Sequence, residues 1–103
     1  MSVKEDGLSL IVTGLCLDFD RREKGMHDEG TNPRTAMEYA YLNEILRGAA
    51  EEIVGEEWRI FLREIGERRG YAKSDTAYSE TYYKKMKAEV TANIRRRLHL
   101  SDK

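Results

Sequence analysis

The stretch that decides the fold is NPRTAMEYAYLNEILRGAAEEIVG, residues 32–55. It opens with a helix start signal. Asn32 is a good N-cap, and Pro33 suits the first helical position, where its missing N–H costs nothing. Met37, Tyr41, Ile45, Ala49 and Ile53 recur every fourth residue, with Leu42, Leu46, Ala50 and Val54 beside them. A stripe this wide belongs to a helix with neighbours on more than one side. Gly55 is the natural stop. The spacing therefore predicts a central helix over 33–54, around which the rest of the chain packs.

Outward from that helix, three more helical patterns appear and no period-2 pattern of any length. Upstream, Leu8, Ile11, Val12, Leu15 and Phe19 fall at helical spacing, and the first helix is expected over 8–26, ending at the polar HDEGTN loop. Downstream, Trp58, Phe61, Leu62 and Ile65 form a stripe in a helix expected over 56–69. Glu56 and Glu57 sit in its first turn and Arg68 and Arg69 in its last, the order the helix dipole favours. Gly70 follows as the expected C′ residue; Gly66 suits a close helix contact or is a mild local weakness, costing up to about 1 kcal/mol against Ala. In the fourth helix, over 79–98, Ser79 is the cap and Glu80 lies in the first turn. Tyr83, Met86, Val90, Ile94 and Leu98 point one way. The expected fold is all-α: a compact bundle of about four helices in a single domain, residues 1–103. Its last two helices form a helix-turn-helix-like pair joined by a long connector.

Composition excludes several classes. With 103 residues, 40% hydrophobic and 36% charged, the chain suits one small domain with heavily charged outer faces. Its single cysteine, Cys16, lies in an apolar run and reads as core. No Cys/His cluster suggests a metal and no motif suggests a cofactor. The apolar run LSLIVTGLCL is half the length of a membrane span and follows acids rather than bases, so a soluble, cytoplasmic protein with no membrane partner is expected. Catalysis finds no support. His27 and His99 lie far apart in sequence, and Glu51, Glu52, Glu56 and Glu57 sit around a helix junction. GLSLIVTG lacks the Lys-Ser/Thr ending of a phosphate loop.

The charge is unevenly spread. Residues 1–67 hold 8 Lys/Arg against 15 Asp/Glu, a net −7; residues 68–103 hold 10 against 4, a net +6. Such asymmetry points to a polyanionic partner at one end. On the last helix, Thr81, Lys84, Lys85, Ala88, Ala92, Arg95 and Arg96 cluster away from the core stripe. Small residues let a helix backbone approach a duplex, and cations reach phosphates or base edges. Ser79 or Thr81 at the helix start can hydrogen-bond phosphate, and Tyr82 lies at the edge of the face. The nucleic-acid-binding residues expected are thus Ser79, Thr81, Tyr82, Lys84, Lys85, Arg95 and Arg96. A solvated basic face, with arginines placed only by the helix dipole, accounts for the same pattern without a ligand.

The segment YSETYYKKMKAEVTANIRRRLHL resembles the C-terminal segment of phage late transcriptional regulators of the RinA/ArpU group and, more loosely, region 4 of sigma factors. Tyr78, Ser79, Glu80, Tyr83, Lys84, Lys85, Met86, Lys87, Val90 and Ile94 carry the likeness, which covers residues 65–100. It implies a small phage- or prophage-type DNA-binding transcriptional regulator acting on double-stranded DNA, with the host transcription machinery as a further partner. The connector over 70–78 departs from the standard helix-turn-helix, whose turn is only 3–4 residues. The alternative is a non-enzymatic protein-interaction module, an adaptor or inhibitor, using the acidic first two-thirds. An extra apolar face on the first or second helix would predict a homodimer.

Overall fold

The computed structural model describes residues 7–68, 70 and 78–99. These form five α-helices: α1 Gly7–Leu17, α2 Phe19–Met26, α3 Pro33–Val54, α4 Trp58–Gly66 and α5 Glu80–Arg97. A single 3-10 turn, Gly55–Glu57, leads into α4. No strand occurs among the described residues, and the all-α bundle expected from the periodicity is the architecture found. No helix of the described residues is long and apolar enough to cross a membrane.

The central helix starts and stops as its sequence dictates. The Asn32 side chain accepts from the Arg34 N–H at 2.8 Å, and Pro33 occupies the first turn. Gly55 ends α3 at φ 61°, a left-handed value that disfavours any residue with a Cβ. The first half of α3 packs mainly on α2, the second half on α4 and α5. Leu46, Ala49 and Ala50 of α3 meet Val12 and Cys16 of α1, Phe19 of α2, Leu62 and Ile65 of α4, and Val90 and Ile94 of α5. A second cluster, Phe61, Tyr83 and Met86, joins α4 to the start of α5.

Three expectations need correction. The helix expected over 8–26 is two helices that break at Asp18. α1 packs on α4 and α5, whereas α2 packs on α3, so one straight rod cannot serve both. The break is built around Arg22, which is only 3% exposed. Its Nε donates to Asn43 Oδ1 at 2.7 Å and its Nη2 to the Leu15 carbonyl, in the last turn of α1. Asn43 Nδ2 donates in turn to the Phe19 carbonyl at 3.0 Å. The third helix is also shorter than 56–69: α4 ends at Gly66, and Arg68 rather than Gly70 adopts the left-handed φ of 57°. Finally, Met37 and Tyr41 are not core. They are 73% and 67% exposed, whereas Tyr39 and Asn43 of the same stretch meet α2. Residues 71–77 of the expected connector, Tyr71 among them, lie outside the described residues.

Gly66 does mark a close crossing. A Cβ at this buried position would lie 2.6 Å from the Leu17 backbone nitrogen and 2.8 Å from its Cα. Backbone on both sides leaves no flexible group to yield, so Gly66→Ala is expected to destabilise by about 1–3 kcal/mol. For a domain of this size that lowers Tm by several degrees, roughly 4–8 °C per kcal/mol; thermal denaturation followed by circular dichroism checks it.

Cys16 is buried, and desolvation raises its thiol to about 12, with the nearby Arg22 charge partly opposing. The reactive thiolate is therefore scarce at neutral pH. In the native protein Cys16 should label with an alkylating reagent no faster than the chain unfolds, and added urea should accelerate labelling steeply. Rapid labelling under native conditions would contradict the burial.

Candidate nucleic-acid interface

Two observations fix α5 in place. On its inner side Tyr83, Met86, Val90, Asn93 and Ile94 are buried. At its N-terminus an aromatic group roots the helix: Phe61 lies 5.9 Å from Tyr78 and 5.8 Å from Tyr83, and Tyr82 meets Tyr78 edge-on at 4.6 Å. The Ser79 hydroxyl oxygen caps the helix by accepting from the Tyr82 N–H at 3.3 Å. That bond leaves the hydroxyl hydrogen of Ser79 available as a donor.

The outer side of α5 is open. Thr81, Tyr82, Lys84, Lys85, Ala88 and Ala92 are all exposed. With Ser79 they bring five of the seven expected binding residues together over the first two turns. Lys84 pairs with Glu80 at 2.9 Å, an i,i+4 bridge with both side chains largely in water. Such a pair is worth at most about 0.5 kcal/mol and does not withhold the ammonium from another anion. Lys87 turns inward: it is half-buried, with Nζ 5.5 Å from the Tyr83 ring centroid. Burial lowers its pKa, and the negative charge of the buried Glu64 on α4 opposes that shift.

Arg95 and Arg96 stand at the other end of the helix. From Lys85 to Arg96 is 11 residues, about 17 Å of rise. Arg95 is half-buried. Arg96 is exposed but its Nη2 donates to Asn93 Oδ1. The next arginine, Arg97, donates from Nη2 to Glu52 Oε1 at 2.7 Å. Asn93 completes the link, with Nδ2 at 2.7 Å from the same Glu52 oxygen and 3.0 Å from the Ala49 carbonyl. The structure thus ties the C-terminal half of α5 to α3 through polar groups, not through apolar packing alone.

The spacing of apolar residues missed Asn93, Glu52 and Arg97. Asn93 lies beside the apolar stripe, one residue before Ile94, and an Asn at such a buried position needs a partner. That was the available signal. His27 and His99 are both exposed, and His99 takes the left-handed φ of 59° that closes α5. Among the described residues no group of three or more His, Cys, Asp or Glu is placed to hold a metal ion. No family model matches this chain, and neither a curated protein nor a solved structure matches it.

The Glu52 carboxyl is held below the usual carboxylate range, first by the hydrogen bond from Asn93, then by Arg97. A depressed folded pKa adds stability above the unfolded value of 4.5, and that stability is lost as pH falls through the folded pKa. Glu52→Gln should therefore flatten the acid limb of the stability–pH curve below pH 4.5, while near neutrality the variant is the less stable. Urea melts across that range test it; parallel curves for the two proteins would contradict the linkage.

Proposed function

We propose that the chain is a small DNA-binding transcriptional regulator of phage or prophage type, acting in the cytoplasm and contacting duplex DNA through α5. The observation that carries this is the uncovered outer face of α5, where Thr81, Lys84 and Lys85 stand beside the small residues Ala88 and Ala92. A major groove about 12 Å wide admits an α-helix, and alanines keep that helix slim. Lys84 and Lys85 would engage phosphates, with Thr81 and Lys85 closest to base edges. Ser79 and Tyr82 would add hydroxyl donors at the helix start. α3 and α1 hold α5 more extensively than α4 does. The helix would thus be presented by the whole bundle, with less reliance on α4 than in a tight helix-turn-helix.

A second reading, a protein-interaction module on the acidic first two-thirds, is favoured by a different observation. α1 has no charged residue, and Leu10, Ile11 and Leu17 are exposed on it. A duplex-DNA column at low salt separates the two: retention supports α5 as a nucleic-acid interface, and flow-through at every salt supports the protein-partner alternative.

The residue-level test is Lys84→Glu with Lys85→Glu. Both positions are exposed, so the double variant should melt like the wild type. Its affinity for duplex DNA should fall at least about tenfold, and the slope of log K against log[salt] should shrink by about two, one per lost phosphate contact. Unchanged retardation in a gel would remove α5 as the contact surface.

A further inference from the structure

The three arginines that close α5 do not simply extend into water. Arg97 lies back across α3. A Cβ at Gly48 would be 2.8 Å from Arg97 Nη1, so the guanidinium rests in a recess that exists because residue 48 has no side chain. One helical turn further along α3, Glu52 takes Arg97 Nη2 at 2.7 Å. The same carboxylate oxygen accepts from Asn93, whose own oxygen accepts from Arg96. Two guanidinium groups therefore converge on one oxyanion, one directly and one through an amide.

A guanidinium recognises a carboxylate and a phosphate by the same planar fork of N–H donors. The arrangement also stays open to solvent: the Glu52 and Arg97 side chains are 56% and 38% exposed. An ion pair so exposed is weak and is readily exchanged. The site lies about 17 Å along α5 from Lys85, more than the width of a major groove. The two ends of the helix can thus reach the two backbones that border one groove.

We propose that Arg96 and Arg97, above the Gly48 recess, form a second phosphodiester-binding site at the α3–α5 edge, and that Glu52 is its displaceable internal occupant. In the free protein the carboxylate stands where a phosphate oxygen stands in the complex. Binding swings Glu52 out to solvent, and Asn93 stays bonded to the Ala49 carbonyl and to Arg96. The site rests on the DNA-binding reading and extends the contact from the first half of α5 to its whole length.

The test compares wild type, Glu52→Gln, Glu51→Gln and Glu52→Gln/Arg97→Ala by fluorescence anisotropy on short mixed-sequence duplex DNA over a salt series. The Glu52→Gln side chain keeps an oxygen for the Asn93 amide, so the fold is retained; circular dichroism verifies it. Glu51 pairs with Arg47 on α3, so Glu51→Gln makes the same change in net charge away from the site. The expected result is tighter binding by Glu52→Gln, on the order of several-fold, at a salt slope close to that of the wild type, because both complexes make the same phosphate contacts. Glu51→Gln should show no comparable change, and the added Arg97→Ala should reverse the gain. Equal affinity for wild type and Glu52→Gln, or an equal gain for Glu51→Gln, overturns the second site while leaving α5 as a DNA-binding helix. Absence of binding by both wild type and Glu52→Gln overturns the DNA-binding reading and the second site together.

Discussion

A guanidinium taken out of water must find acceptors, and Arg22 finds two that no single helix could supply. One is the Leu15 carbonyl at the end of α1, the other the Asn43 amide in the middle of α3. Burying that charge without them would cost several kcal/mol. With them, the chain has reason to bend at Asp18. α2 then lies along α3 while α1 is released to cross α4, and that crossing at Gly66 is close enough to bring two backbones together. The apolar cluster forms in the space these turns enclose. Its members are small or medium-sized where helices crowd, as Ala49, Ala50 and Val12 show.

Asn93 repeats the device on the other side of α3. Its amide reaches the Ala49 carbonyl as Asn43 reaches that of Phe19. The central helix is thus pinned by one buried amide toward α2 and by another toward α5. Apolar packing alone tolerates sliding between smooth helix faces, whereas an amide that loses its carbonyl inside a core costs about 1–3 kcal/mol. These pairs fix the register of α2 and α5 on α3, and with it the direction in which the outer residues of α5 face.

Much of this was legible in the residues. Asn32-Pro33 and Gly55 bound α3 because cap chemistry is local. Tyr83, Met86, Val90 and Ile94 mark the buried side of α5 because their spacing reports one face, whatever the partner. The break at Asp18 was not legible. Apolar spacing runs on through it, and its cause is the bond from Arg22 to Asn43, 21 residues further along the chain. Met37 and Tyr41 continue the α3 stripe but lack a neighbour to cover them, and a stripe does not state how far its partners extend. On α5 the exposed positions of Thr81, Lys84 and Lys85 followed from periodicity. The engagement of Arg96 with Asn93 did not, because an arginine at a helix end reads the same whether it meets solvent or a neighbouring helix.

Gly48 carries a consequence of its own. It has no charge, yet the Arg97 guanidinium lies only 2.8 Å from where a Cβ on it would stand. Any inherited change there that introduces a side chain would push Arg97 off α3 and turn its charge outward. The electrostatic character of one end of α5 is thus written partly in a neutral residue on a different helix. Drift at position 48 and drift at position 97 are for that reason not independent, and natural variants of the chain should change the two together more often than apart.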